Sequence, residues 1–304
     1  MAHRLQTTIK AIAFLLLFSS VSFAQFGGDL LVGHSQAWNI KLNSTSAQPS
    51  ITMQGKGKIY IKWGDGTAQQ SYTLTSSDQV ISHTYSVAGN YTRVIYNASA
   101  VTKWSTSSNC AWSFDLSSVS RSTTYFTCTG SNTITGNLSS LPSTMTFFRC
   151  YGSNTITGNL SSLPSVMTYF DCQGSNTITG NLSSLPSMMT YFVCYGSNTI
   201  TGNLSSLPSV MTTFVCTGNN NTINAYTAGH VWASAMNYFY VTTNSGGLTS
   251  AMVDSLCIDL DAVPWGGSGR TLHLTGAGIG APTSASAAAR TDLTNVKLVT
   301  VTTN

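Results

Sequence analysis

"MTFFRCYGSNTITGNLSSLPSV", residues 145–166, is followed by "MTYFDCQGSNTITGNLSSLPSM" at 167–188 and "MTYFVCYGSNTITGNLSSLPSV" at 189–210. The block "GSNTITGNLSSLPS" recurs unchanged from Gly130, Gly152, Gly174 and Gly196, while positions just before it change. Cys128, Cys150, Cys172, Cys194 and Cys216 recur every 22 residues. Internal repetition at a period of this length is the signature of a solenoid. The register extends back to "WSFDLSSVSRS" at 112–122, a degenerate first unit of the kind that caps a stack.

Variation alternates with constancy. One variable position holds Phe147, Tyr169, Tyr191 and Thr213; the next Arg149, Asp171, Val193 and Val215; the third Tyr151, Gln173, Tyr195 and Thr217. Phe and Cys stand unchanged between them. A period of two is the pleat of a strand. Each unit is therefore expected to supply one strand of a parallel sheet, with Phe148 and Cys150 facing a core and Phe147, Arg149 and Tyr151 facing solvent. Parallel strands stack about 4.8 Å apart, so the outward rings would form a ladder roughly 15–20 Å long. The candidate binding residues are Tyr125, Phe147, Tyr169 and Tyr191, with Arg149, Tyr151, Asp171 and Tyr195 beside them. Tyr is rigid and amphipathic, which favours recognition. It also simply suits strands, and both readings stay open. Arg149 and Asp171, on adjacent rungs, are expected to form an exposed salt bridge of little energetic worth.

The in-line cysteines are expected to be buried free thiols acting as small apolar side chains. A bridge between Cys110 and Cys257 is disfavoured by their separation. Asn132, Asn154, Asn176 and Asn198 are expected to satisfy backbone groups near the turn after each strand. "NLS" at Asn137, Asn159, Asn181 and Asn203 matches a glycosylation sequon, relevant only in a eukaryotic secretory pathway.

Met145, Phe148, Cys150, Asn154, Ile156, Leu160 and Leu163 carry a resemblance to the leucine-rich repeat, in which a short strand is followed by an irregular return limb closed by Leu-x-x-Leu-Pro. Met, Phe and Cys stand where that family has Leu, and the Asn comes one place late. From about residue 225 the units lengthen. "AMNYFYVTTN" (235–244) repeats the strand, "LTSAMVDSLCIDLDAV" (248–263) has helical spacing, "RTLHLTG" (270–276) is a strand, "SASAAARTDL" (284–293) a helix and "KLVTVTTN" a last strand. These units resemble the final helical units of bacterial leucine-rich surface proteins, which implies that they cover the open end of the core.

Upstream, residues 38–100 read as short strands of a small antiparallel sandwich: Ile59, Ile61 and Trp63 alternate with Tyr60 and Lys62, and Asp65-Gly66 and Gly89-Asn90 are turn signals. "KWGDGT" (Trp63, Gly64, Asp65, Gly66, Thr67) and "HTYSVAGNYT" (His83, Thr84, Tyr85, Gly89, Tyr91, Thr92) are similar to the polycystic-kidney-disease (PKD) domain, an immunoglobulin-like sandwich that serves extracellular bacterial proteins as spacer or adhesive module. Asp65 is read as a turn former rather than a cation ligand.

Residues 1–24 read as a secretory leader: Arg4 and Lys10, an apolar run, then Ser22 and Ala24 before a cleavage site at Gln25. The run is too short for a membrane span, and no second long apolar stretch follows. Only 7% of residues are charged, all nine acids are Asp, and the formal net charge of +4 includes the leader's two cations. No basic stripe exists, so nucleic acid is not an expected partner. A hydrophobic fraction of 42% argues against long disorder.

Catalysis finds no foothold: there is no Glu, the five His are scattered, and "GGSGR" at 266–270 is not a Gly-x-Ser-x-Gly elbow. "DLD" at 259–261 reads as the polar side of a helix, and no metal or cofactor is expected. The expected architecture is mainly β: leader (1–24), linker (25–37), antiparallel sandwich (38–100), then a leucine-rich-repeat-like solenoid with a parallel sheet and helical C-terminal units (101–304). The expected function is extracellular or cell-surface binding of a protein or glycan, without enzymatic activity. A structural stalk, an ice-binding solenoid using ladders such as Thr146, Thr168, Thr190 and Thr212 or the "TIT" pairs, and a phage-derived receptor-binding protein remain as alternatives. An ice-binding surface would have to be flat, regular and rich in Thr.

Overall fold

Each 22-residue unit makes two strands, not one. The computed structural model describes residues 37–44 (backbone), 48–106, 111–218, 220–232, 236–244, 246–267 and 269–304. The expected leader, the linker up to residue 36 and Cys110 lie outside them. The N-terminal region holds β1 (Ala37–Ser44), β2 (Ser50–Gly55), β3 (Gly57–Lys62), β4 (Gln70–Leu74), β5 (Gln79–Ser82), β6 (Gly89–Tyr96), β7 (Val101–Thr106) and β8 (Ala111–Asp115). The repeats hold β9 (Tyr125–Asn137), β10 (Phe147–Gly152), β11 (Thr155–Asn159), β12 (Tyr169–Asn181), β13 (Tyr191–Gly196), β14 (Thr199–Asn203), β15 (Thr213–Thr217) and β16 (Thr222–Ala225). The tail adds β17 (Tyr238–Thr242), α1 (Ser250–Asp261), β18 (Thr271–Thr275), α2 (Ala287–Asn295) and β19 (Thr300–Thr303).

The strands form two facing sheets. The first runs β5–β2–β7 antiparallel, then through the first half of β9, β10, the first half of β12, β13, β15, β17, β18 and β19, all parallel. The second runs β4–β3–β6–β1–β8 antiparallel, then parallel through the second half of β9, β11, the second half of β12, β14 and β16. Long β9 and β12 bend from one sheet into the other. The protein is thus mainly β, with a long run of parallel repeat strands. The return limb, expected to be irregular, contains the second parallel sheet, because Thr-Ile-Thr alternates as a strand and its neighbours on both sides do the same. Nor do the sheets break near residue 100: β7 and β8 each pair antiparallel on one side and parallel on the other, and Ser35–Asn304 is one compact unit.

The core between the sheets is continuous. Phe126, Phe148, Phe170, Phe192 and Phe214 are buried and stack at 5.6–5.7 Å. Ile134, Ile156, Ile178 and Ile200 meet them from the second sheet, and Met145, Leu160 and Leu163 with their equivalents close each coil. Each such side chain contributes about 1.5–3 kcal/mol by burial. At the N-terminal end Trp63, Trp104 and Trp112 extend the same core, with the buried Arg93 guanidinium 4.2 Å from the Trp63 ring centre and 4.8 Å from that of Trp112. In the tail the second sheet stops and helices replace it. Val253, Leu256, Cys257 and Leu260 of α1 and Leu293 of α2 join the core against Phe239, Val241, Leu272 and Leu274. The first sheet itself ends on β19, so the helices cover its inner face rather than the end of the stack.

Asp65 takes hydrogen bonds from the Thr67 amide (3.1 Å) and hydroxyl (2.6 Å) and sits 2.7 Å from His83 Nε2. Burial pushes its carboxyl up, but the bonds from Thr67 and His83 outweigh that and hold it down to about 2. Its role is that of the expected turn former. The described cysteines are free and buried, and burial pushes the Cys128 and Cys216 thiols up to about 12.

Two asparagine files tie the coils. Fully buried Asn154 accepts from the Ile134 amide of the preceding coil (3.0 Å) and donates to the Gln173 carbonyl of the next (3.0 Å). Asn132 and Asn176 do the same. Asn137, Asn159, Asn181 and Asn203, the sequon residues, instead cap a short 3-10 turn by accepting from the amide two residues on; Asp115 does so in the first unit. Glycine is required where the chain turns between sheets: at Gly152 (φ 133°) a Cβ would lie 2.7 Å from the Asn132 amide and carbonyl.

Asn154→Ala is expected to lower unfolding free energy by about 2–6 kcal/mol, from about 1–3 kcal/mol per orphaned buried group. The cap variant Asn159→Ala should cost about 1 kcal/mol. Urea denaturation of both variants, with equal losses, would refute the special role of the buried file.

Candidate functional site

The outward face of the first sheet carries every predicted site residue, but it is less open than expected. In the parallel register Tyr125, Phe147, Tyr169 and Tyr191 stand side by side. Their rings stack face to face at 4.1 Å with interplanar angles of 8–14°. The Lys103 ammonium lies 4.9 Å from the Tyr125 ring centre and continues the column. Ring faces are thus spent on one another, and the column offers edges and hydroxyls rather than a platform of faces. The ladder therefore leaves few ring faces free for a ligand to stack on.

The second column is a closed polar cluster. The Tyr151 hydroxyl accepts from the Arg149 guanidinium, with Nε at 2.8 Å, and donates to Asp171. Asp171 also accepts from Gln173 Nε2 (3.0 Å), and Arg149 Nε is 3.6 Å from its carboxylate. The expected salt bridge therefore exists but runs through a phenol, and it is not exposed: Asp171 is 0% accessible, buried on the solvent side of the sheet beneath its neighbours' rings and amides. Burial pushes its carboxyl up, against the lowering effect of the bonds from Tyr151 and Gln173 and of Arg149. It is removed as a direct ligand contact. Arg149 is part-buried, and Tyr195 is the exposed member of the set at 38%.

The aromatic column is interrupted once. Tyr191 pairs with Thr213, and Thr213 with Tyr238. Where a ring is missing there is a cavity of about 240 Å3. Tyr191 and Tyr238 flank it, Val193, Thr213 and Val215 lie along its sheet side, and Gln173, Tyr195 and Asn237 complete it. The Asn237 Oδ1 is buried and has no hydrogen-bond partner among the described residues. Beyond it the face continues with Tyr240 stacked on His273 at 3.8 Å. Sequence reasoning took "NYFYV" as a repeat strand but did not carry the outward column into it. The signal was present: Tyr238 aligns with Tyr191 once the one-unit gap at Thr213 is allowed.

The second sheet offers a different surface. Thr155, Thr157, Thr177, Thr179 and Thr199 are exposed, with Ile156 and Ile178 buried between them. Thr135 pairs with Thr155, Thr157 with Thr177, and Thr179 with Thr199. The other predicted ladder, Thr146, Thr168, Thr190 and Thr212, is stitched into the fold: each hydroxyl donates to the carbonyl of the preceding coil at 3.0–3.2 Å, as Thr157 and Thr179 of the second sheet also do at 3.3 Å. Among the described residues no His, Cys and Asp cluster in a way that could hold a metal, and no helix is long and apolar enough to cross a membrane. No protein-family model matches the chain, and neither curated proteins nor solved structures yield a match.

A raised carboxyl in the folded state favours folding below the unfolded-state value near 3.9 and loses that advantage as pH rises through the folded value. Asp171→Asn is therefore expected to gain melting temperature relative to the parent as pH rises from about 3 to 7. Thermal melts across that range check it; a constant difference would remove burial as the dominant influence on Asp171.

Proposed function

We propose that the protein is an exported, non-enzymatic binding or adhesion protein, in which a PKD-like sandwich carries a leucine-rich-repeat-like solenoid whose outward first-sheet face recognises a protein or glycan outside the cell. One observation carries this. Apart from the turn position that holds Thr144, Val166, Met188 and Val210, the copies whose core and second sheet are letter-for-letter the same differ only on this face. Packing constrains the core, and divergence limited to a solvent-side face is what recognition of an irregular target requires. The hydroxyl edges of the ring column, part-buried Arg149, exposed Tyr195 and the gap at Thr213 supply adaptable polar contacts beside rigid anchors.

The test replaces Tyr125, Phe147, Tyr169 and Tyr191 by Thr, the residue that the unit at 213 already carries, and Tyr195 by Ala. The Arg149–Tyr151–Asp171 cluster is left intact. With far-ultraviolet spectra matching, the variant is expected to lose binding to arrayed glycans and to whole bacterial cells at least about tenfold. Equal binding would move recognition off this face. No binding by either protein would favour a structural stalk.

A second reading, ice binding, is favoured by the second sheet. Its exposed threonines repeat about 4.8 Å apart across strands and about 6.6 Å along them. Water oxygens joined by hydrogen bonds of about 2.75 Å at tetrahedral angles have second neighbours about 4.5 Å apart. An uncharged, unvarying array of methyls and hydroxyls near that spacing suits an ordered water lattice. If so, the purified protein slows ice recrystallisation, and Thr157→Tyr with Thr179→Tyr abolishes the effect. An unaltered effect in that double variant would exclude the surface.

A further inference from the structure

We propose that the interruption of the ring column at Thr213 is a binding slot for a single neutral pyranose ring, held between Tyr191 and Tyr238. The proposal rests on the binding reading above and names the ligand class for its face. Tyr191 stacks on Tyr169 through one side of its ring. Its other side looks along the column towards Thr213, where the neighbouring coils place a ring and this coil places a short side chain. Tyr238 stands on the following strand.

Thickness limits the occupant to one ring. Two rungs of a parallel sheet are about 9.6 Å apart. Carbon contacts of about 3.5–4.0 Å against each wall leave about 2 Å for the occupant's own depth. A puckered pyranose with its axial hydrogens fills that depth more fully than a planar ring, which would stack there much as the column's own rings do at 4.1 Å. The volume of about 240 Å3 lies below the roughly 300–1,000 Å3 of pockets for drug-sized ligands, so one ring fits and a longer saccharide must extend out of the slot.

Polarity agrees. Val193 and Val215 give the slot an apolar floor. Gln173 and Asn237 contribute amides, and Tyr195 a hydroxyl, at positions that can meet the ring's hydroxyls. Among the described residues no charged side chain lines the slot. Asp171 stands directly behind Gln173, 3.0 Å from its amide nitrogen, and disfavours an acidic sugar.

The experiment uses saturation-transfer NMR with the methyl glycosides of glucose, galactose and mannose, and with N-acetyl-tyrosine amide as a planar probe. Thr213→Tyr closes the slot with the residue found one and two coils earlier, so the column is expected to become continuous, with far-ultraviolet spectra and thermal melts checking that the fold is kept. Tyr238→Ala removes a wall and leaves the slot open. At least one pyranoside is expected to give transfer signals with the parent protein. Those signals should vanish in Thr213→Tyr and weaken at least about tenfold in affinity in Tyr238→Ala. Three results overturn the proposal: no pyranoside binds the parent, binding persists unchanged in Thr213→Tyr, or only the planar probe binds. The two readings fail separately. If Thr213→Tyr still loses nothing while the ring-column variant loses cell and glycan binding, the slot falls and the binding face stands.

Discussion

Everything in the repeat region hangs on one buried side chain per coil. At Asn132, Asn154 and Asn176 the amide answers two backbone groups that belong to different neighbours, accepting from the coil before and donating to the coil after, while Asn198 and Asn221 accept from the coil before and donate to a cysteine sulfur of their own coil. A turn between two sheets leaves amides and carbonyls that neither ladder can use, and leaving them unpaired in a dry interior is costly. Where the side chain reaches both ways, as at Asn154, a coil is correctly closed only when two others are in place. The sharp turn that brings the chain past this amide permits no Cβ, which is why Gly stands at Gly152 and its equivalents.

The two sheets divide labour. In the first, each residue opposes its own equivalent one unit on, as Arg149 opposes Asp171. In the second, Thr157 opposes Thr177, two residues short of its equivalent Thr179. An offset of two preserves which side of the sheet each residue faces, so the threonines stay outside and the isoleucines inside. The first sheet carries rings that satisfy one another and a charged pair reconciled by a phenol. The second carries a uniform hydroxyl and methyl surface. Chemical individuality is thus gathered on one side of the molecule.

Much of this was legible in the letters. The alternation of Phe148 and Cys150 with changing neighbours announced the first strand and its two faces, and the recurring Asn154 announced a structural amide. "TITGN" was read as a limb without strand character, because three alternating residues become a strand only when identical segments lie on both sides. The merging of the N-terminal strands with the repeats depends on pairings such as Lys103 with Tyr125, whose register no local pattern encodes. Asp171 looked exposed because pleat alternation assigns a direction, not an accessibility. Long side chains in the flanking columns closed over it. The cavity was illegible for a related reason. An absent ring at Thr213 is a feature only when rings stand on both sides of it.

Since the coils from residue 145 to 210 share one interior, their number is not dictated by any contact within them. Excising residues 167–188 would join Val166 to Met189, the same kind of junction that Val166 now makes with Met167, and every buried neighbour would find its counterpart. Adding a copy would be equally neutral to the interior. The gene segment can therefore lengthen or shorten by unequal recombination without an unfolded intermediate in its history. What changes with each event is the outer lettering: the distance between Lys103 and the gap at Thr213 grows or shrinks by whole rungs. The molecule is built as a ruler whose graduations are fixed and whose length is open to selection.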